Sequence, residues 1–342
     1  MRSWCVKVPK VEGESARKKL LEMGLLDISL AIRYQEGDLL LPVIDPDSLE
    51  SMGPTLEDFE EREIQETDYR LLTDVPEVLK DLLPTSFDVV GDIAILRLKD
   101  ELVPYAGKIG DSLRKVLPRL RTVAIDRGVQ GEFRVRDVEL VSGNPSPVTT
   151  HTEFGLKFRV DVSKVYFNPR LANERRRVSS LVREGEEVID MFAGVGPFSI
   201  MIAKYALPGR VYAIDLNPAA VELMRDNIAL NRVDGITPLL GDARKIIPGL
   251  PQADRIIMNL PHSAHGFLED AVMSLKRGGT VHLYFICERS EVDGFVEGLI
   301  SKLREVGIDL EIVRLEELKT YSPTASVYST DLVLTHRSSS TV

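Results

Sequence analysis

The stretch VIDMFAGVGPFSIMIAK, Val188 to Lys204, decides the fold. A short apolar run carries Asp190 at its end. A glycine-rich turn follows, and Pro197 then opens a helix. Gly194 and Gly196 let the chain turn tightly and bring its backbone close to a ligand. A dinucleotide fingerprint would place a third glycine at position 199, where this chain has Ser199. That absence argues against a pyrophosphate resting on the helix end. Taken alone, the motif is also compatible with a purely structural strand–helix turn.

The flanking sequence removes the ambiguity. The next apolar run, RVYAID, ends in Asp215, where a carboxylate can accept hydrogen bonds from both hydroxyls of a ribose. Asn217 and Pro218 then start a helix. The third run, ITPLLGDAR, ends in Asp242, suitably placed for an adenine amino group. Three acids after three consecutive strands fit an adenosyl ligand without phosphates, S-adenosylmethionine. The fourth run, RIIMNLPH, ends in Asn259 and Pro261, at the position that faces a transferring methyl group in this architecture. An amide there offers both a donor and an acceptor to a nucleobase edge. The expected fold is α/β: a C-terminal class I S-adenosylmethionine-methyltransferase Rossmann-like domain, preceded by two smaller α+β domains. The last two strands, DLEIVRLEEL and YSTDLVLTH, follow each other without a long helix and read as an antiparallel pair ending the sheet.

Upstream of residue 167 the pattern differs. Residues 1–44 read as strand–helix–strand–strand, a small module. Residues 45–72 read as an acidic linker, mobile in the free protein: positions 45–68 hold ten acids and one arginine. Residues 73–165 read as a basic α+β domain with an antiparallel sheet. The net charge of −10 is therefore misleading. Residues 106–136 hold eight Lys/Arg against three acids, and residues 157–183 hold eight against two. Local basic patches, not the total, are the footprint for phosphate. No apolar run of membrane-spanning length occurs, and no membrane partner is expected. Two cysteines and five histidines suggest neither a disulfide framework nor a metal site.

One further stretch, YFNPRLANERRRV from Tyr166 to Val178, places a single acid, Glu174, among Arg170, Arg175, Arg176 and Arg177. Asn168 and Pro169 form a good helix cap and first position. Arg170 and Glu174 are then i and i+4, on one face. The bland reading is a local salt bridge on a basic, solvated helix.

Together, VYFNPRLANERRRV, DMFAGVGPFSI, AIDLNP, GDAR and NLPHSAHGFL resemble the archaeal and eukaryotic tRNA (guanine-37 N1)-methyltransferases. The resemblance spans nearly the whole chain. It implies methyl transfer from S-adenosylmethionine to N1 of the guanine just 3′ of the anticodon, by a cytoplasmic monomer. It implies that residues 1–44 touch the outer corner of the tRNA and that the middle domain holds the anticodon arm. Neutral N1 carries a proton, so the reaction needs a base near N1 and a cation or donor near O6. The resemblance assigns the base to Glu174. It assigns the O6 contact to Arg134, with Arg136 the second choice on the same strand face. Asn259 would hold the flipped base, with Pro261 stiffening its turn, and Tyr166 would stack or hydrogen-bond near it. Arg170 and Arg175 are implied to approach the cofactor carboxylate or to anchor the site. Cofactor contacts are implied for Asp190, Phe192, Gly194 and Gly196 in the turn, and for Asp215, Leu216, Asp242, Ala243 and Asn259 after the next strands. The alternatives are wybutosine-precursor modification at the same nucleotide, by C-methyl or aminocarboxypropyl transfer, and a dual-specificity methyltransferase. From other classes, a nicotinamide oxidoreductase and a non-catalytic tRNA-binding protein compete. The third glycine is missing against the first, and the full residue set stands against the second.

Overall fold

The computed structural model describes residues 1–62, 67–131 and 135–338. The chain divides into two compact units, 1–72 and 73–342.

In the first unit, β1 (Arg2–Pro9), α1 (Gly13–Glu22), β2 (Arg33–Gln35) and β3 (Asp38–Pro42) follow the expected order. A 3₁₀ turn (Asp47–Met52), β4 (Thr55–Asp58) and α2 (Tyr69–Leu72) complete it. The sheet runs β2-β3-β1-β4, and every pairing is antiparallel. Alternation along β1 sends Val6 and Val8 into one core with Leu20 of α1, Leu41 and Leu49. Cys5 points to the opposite core, with Leu30, Leu40 and Phe59. This corrects the expected linker. Charge dominates residues 45–62, but Leu49 and Phe59 are buried, and β4 pairs with β1 from Arg2↔Asp58 to Cys5↔Thr55. A few well-placed apolar side chains and a free strand edge outweigh the solvation of the acids between them.

The second unit opens with β5 (Asp88–Val90), β6 (Ile93–Leu96), α3 (Ala106–Val116), β7 (Thr122–Gln130) and β8 (Val135–Gly143), in a sheet of order β5-β6-β7-β8. The β6–β7 pair is parallel, with α3 as its crossover, so this sheet is not wholly antiparallel as expected. A hairpin of β9 (Val148–Glu153) and β10 (Leu156–Asp161) follows.

The remaining elements alternate as foreseen: α4 (Ala172–Leu181), β11 (Glu187–Asp190), α5 (Pro197–Tyr205), β12 (Arg210–Asp215), α6 (Pro218–Asn231), β13 (Ile236–Leu240), α7 (Ala243–Ile246), β14 (Ala253–Met258), α8 (Leu268–Met273), β15 (Leu275–Glu288), α9 (Val292–Glu305), β16 (Ile308–Thr320) and β17 (Ala325–Arg337). They build a seven-stranded sheet of order β13-β12-β11-β14-β15-β17-β16. Strands β11 to β15 are parallel, and β17 is antiparallel to both β15 and β16. The order reverses at β11, so the carboxyl ends of β11 and β14 flank the crevice where such sheets bind ligands.

No gap opens at the expected boundary between residues 165 and 166. Asn227 and Asn231, one helical turn apart on α6, read the free edge of β10 as a strand would. Asn227 accepts from the Arg159 N–H at 2.6 Å and donates to the Arg159 carbonyl at 3.1 Å. Asn231 does the same with Lys157 at 2.8 and 2.7 Å. Phe158 and Val160 pack in one cluster with Val195, Ile200 and Met201. The hairpin is thereby fixed against the Rossmann-like layer, and Glu153 at the end of β9 is held beside α4.

The folded role of residues 45–62 has a direct consequence. Amides of β4 should exchange with solvent as slowly as those of β1. Phe59→Ala should destabilise the first unit by about 3 kcal/mol or more, read by hydrogen exchange on the whole chain. Free exchange at residues 55–58 would contradict this.

Candidate active site

The glycine turn after β11 is built by its own backbone. The Ala193 N–H donates to the Ile214 carbonyl at 2.8 Å, and the Gly196 N–H to the Ala193 carbonyl at 2.9 Å. Gly194 and Gly196 have φ of 56° and 86°, conformations that cost other residues strain. A Cβ at Gly196 would also lie 2.7 Å from Cγ of Met224. Asp215 braces the turn, accepting from the Gly194 N–H at 2.7 Å and the Asn217 N–H at 2.9 Å. Burial raises its pKa against those bonds.

Asp190 lies beneath the turn with no exposed surface. Its Oδ2 accepts from the Ser199 hydroxyl at 2.8 Å, and its Oδ1 has no partner. Burial is the main cause that pushes its pKa up to about 7. It supports the turn from below and does not face a ligand, contrary to the expected contact. The same bond explains Ser199, which was read only as a missing glycine.

Further along, Asp242 caps α7 through the Arg244 N–H at 3.0 Å. Arg244 lies 3.8 Å from the centroid of Phe267, whose ring meets Phe192 edge-on at 5.1 Å. Phe192, exposed Leu216 and Asp242 thus border the crevice, with Phe267 an unforeseen wall. Ala243 is buried behind them.

At the end of β14, Asn259 has a buried Oδ1 without a partner. Pro261 fixes the following turn by accepting from the Ile286 N–H at 3.0 Å. Met258 pairs with Leu283, so Asn259 and Tyr284 follow in register on the same sheet face. That face carries α4.

There the second stretch departs from its simple reading. Asn168 Oδ1 caps the Arg170 N–H at 3.1 Å, as expected, but Pro169–Leu171 form a 3₁₀ turn and α4 begins at Ala172. Arg170 and Glu174 therefore do not pair across a helical turn. Arg170 bonds Asp88 at 2.8 Å. Glu174 is 7% exposed, and Arg177 donates to both its oxygens, at 2.8 and 2.7 Å. The Tyr284 hydroxyl donates to Glu174 Oε1 at 2.8 Å. Burial raises the Glu174 pKa, but Arg177 first, then Tyr284 and Arg314, outweigh it, and the net shift is downward. Tyr284 itself is pushed well above its ordinary value, chiefly by burial.

Arg175 is 2% exposed and enclosed, which suits an anchor of the site better than a cofactor contact. Its Nε donates to Glu153 at 2.9 Å, its Nη2 to Glu153 and to the Asn168 carbonyl, and it stacks between Phe167 and Phe198. Arg176 lies 4.2 Å from the centroid of Tyr205. The arginines of α4 are thus not a uniform RNA-facing surface.

Arg134 lies outside the described residues. Arg136 bonds Asp88 at 2.9 Å and stands over the half-exposed Tyr166 ring at 5.3 Å. Lys319 of β16 shares this environment, its pKa lowered by burial first and by Arg170 and Arg136. Asp88, Glu153, Tyr284, Arg314 and Asp331 were not foreseen. The available signal was a polar residue inside an apolar strand, as in HLYF and TDLVL.

The parallel sheet, its glycine turn and the acids after β12 and β13 define a class I S-adenosylmethionine-dependent methyltransferase. The matching family models are the TRM5/TYW2 methyltransferase domain over residues 149–309, the TYW2 N-terminal domain over 68–146, and the tRNA methyltransferase 5 N-terminal domain over 5–48. The chain is 40% identical over 321 residues to the tRNA (guanine(37)-N(1))-methyltransferase Trm5b of Pyrococcus abyssi, covering 93% of this chain and 95% of that one. It is 35% identical to the protein in the solved complex of aTrm5 and tRNALeu, with a TM-score of 0.75 over 98% of this chain and 99% of that one. It is 33% identical over 254 residues to the tRNA(Phe) (4-demethylwyosine(37)-C(7)) aminocarboxypropyltransferase of Pyrococcus horikoshii, covering 74% of this chain and 90% of that one. The chain belongs to the TRM5/TYW2 family of tRNA methyltransferases, and its cofactor is S-adenosylmethionine. Among the described residues no helix is long and apolar enough to cross a membrane.

Two outcomes follow. Gly196→Ala should weaken S-adenosylmethionine binding at least tenfold, read by calorimetry, because positive φ and Met224 both oppose the added methyl group. Asp190 has a folded pKa above its unfolded value. The stability tied to its neutral form is complete below about pH 4 and lost as pH rises to about 7. Asp190→Asn should flatten that decline in unfolding experiments; an unchanged slope would refute it.

Proposed function

We propose that this chain transfers the methyl group of S-adenosylmethionine to N1 of guanine at position 37 of tRNA, with Glu174 as the general base. The observation that carries the reading is a buried, ionised carboxylate held by Arg177 and Tyr284. It stands in a fold whose end-to-end relative is a tRNA (guanine(37)-N(1))-methyltransferase. N1 of neutral guanine cannot attack until its proton leaves. A carboxylate near N1 takes that proton as the N1–carbon bond forms. Its low pKa keeps it ionised at neutral pH, so it is always in the accepting form.

The cofactor supplies an electrophilic methyl group when bound. The residues present suit it: a glycine turn that a Cβ would fill, Asp215 for the ribose hydroxyls and Asp242 beside the aromatic wall for adenine. The orphaned Asn259 Oδ1 suits a donor on a base edge. As N1 loses its proton, negative charge moves to O6, and a cation there lowers the barrier. Arg136, anchored by Asp88 over Tyr166, is suited to that position; Arg134, outside the described residues, is the other choice. We assign the anticodon arm to the basic surface of residues 73–165 and the outer corner of the tRNA to the first unit.

Aminocarboxypropyl transfer is the competing reading. The relative with that activity matches 74% of this chain yet 90% of its own length, whereas the tRNA methyltransferase 5 N-terminal model matches residues 5–48. The match of residues 5–48 to that N-terminal model favours N1 methylation.

The test uses unmodified tRNA transcripts with guanine or adenine at position 37. Nucleoside mass spectrometry should give 1-methylguanosine from the first and nothing from the second. Glu174→Gln should slow single-turnover transfer by about 10²–10⁴ while S-adenosylmethionine still binds. A C-methyl or aminocarboxypropyl product, or an undiminished rate, would overturn the reading.

A further inference from the structure

The helix that carries Glu174 also carries Arg177, and Arg177 binds two acids at once. Nε and Nη2 hold the two oxygens of Glu174, while Nη1 and Nη2 donate to Asp331 of β17 at 2.8 and 3.1 Å. Asp331 is held in turn by His282 of β15, Nδ1 to Oδ1, at 2.6 Å. Arg255 of β14 stands 2.7 Å from the other His282 nitrogen. An arginine only donates, so that nitrogen accepts, and His282 is the neutral tautomer donating to Asp331. Every element packed against Glu174 contributes: Arg177 from α4, Tyr284 from β15, Arg314 of β16 at 3.9 Å, and Asp331 from β17 through Arg177.

We propose that Arg177, fixed from behind by the Asp331–His282 pair, is a positioning residue that keeps Glu174 in its base form and aims its carboxylate. The proposal rests on Glu174 being the base and adds what makes it one. Burial disfavours the charged form of Glu174, and Arg177 is the first group that opposes it, so removing the cation moves the carboxyl toward its neutral form. A neutral carboxylic acid is far too weak a base to take the N1 proton and would be silent. Stability does not require the arrangement, since apolar groups of equal volume commonly serve as well as a buried ion pair. Four N–H contacts to two carboxylates also require the planar fork of arginine; lysine offers a single ammonium point. Tyr284 assists with one hydrogen bond to the charged form.

The experiment is single-turnover methyl transfer to tRNA across about pH 6 to 8.5, at saturating cofactor, with each rate divided by that of the parent. With Arg177 gone, only Tyr284 and Arg314 oppose burial, so Glu174 in Arg177→Gln should be less ionised at the acid end than at the alkaline end. Its relative rate should therefore climb about tenfold from the acid to the alkaline end of that range. Arg177→Lys should recover part of the loss near pH 6. Tyr284→Phe removes only a hydroxyl and should show the same trend more weakly, which decides the matter should Arg177→Gln not fold. A relative rate that is constant with pH in both Arg177→Gln and Tyr284→Phe, or an Arg177→Gln rate equal to the parent at pH 6, would overturn the proposal. Glu174→Gln separates the two readings. If it is slow at every pH while the other variants show no trend, the base stands and the positioning role falls. If it matches the parent, the base itself falls.

Discussion

Two carboxylates on elements far apart in the chain, Glu174 and Asp331, are both buried, and one guanidinium lies between them. That contact ties the start of α4 to the antiparallel end of the sheet. Arg177 offsets part of the cost of burying each charge, with His282 acting first on Asp331, and Tyr284 and Arg314 helping on Glu174. Both acids are thus held below the usual carboxylate range. A second buried pair, Arg175 with Glu153, ties the same helix to the β9–β10 hairpin. Helix α4 is thus bolted on two sides by consecutive odd-numbered arginines, and Glu174 between them has little freedom to turn.

The two ends of the site have opposite electrostatics. At the glycine turn, Asp190 and Asp215 carry pKa values raised by burial, with only hydrogen bonds to oppose it. At α4, arginines reverse the effect on Glu174. Acids poised on one side and an ionised acid on the other suit a site that receives a cationic cofactor and then a proton. The orphaned oxygen of Asn259 lies between these regions along the sheet, at the end of β14.

Much of this was legible in the sequence, because strands, turns and their terminal acids are local features. The glycine turn, the three acids and the antiparallel pairing of the last two strands followed from period and spacing. What local pattern cannot carry is the partner across the fold. Arg177 and Arg175 look alike in ERRRV, yet one meets Asp331 and the other Glu153, 154 and 22 residues away. Arg170 was paired with Glu174 by helical spacing, but a 3₁₀ turn breaks that spacing and Asp88 takes the arginine instead. Residues 45–62 were read as a linker by charge. Leu49, Phe59 and the open edge of β1 decide otherwise, and edge pairing leaves almost no signature in composition. The choice between Arg134 and Arg136 rested on alternation alone. Of the two only Arg136 lies among the described residues, tied to Asp88 and Tyr166.

The most direct measurement of the central claim is a structure of the chain bound to unmodified tRNA and S-adenosylhomocysteine. The account predicts a Glu174 carboxylate oxygen within about 3.2 Å of N1 of guanine 37, with Arg177 still bridging to Asp331. A guanine N1 facing a different side chain, with Glu174 still closed on Tyr284 and Arg177, would contradict it.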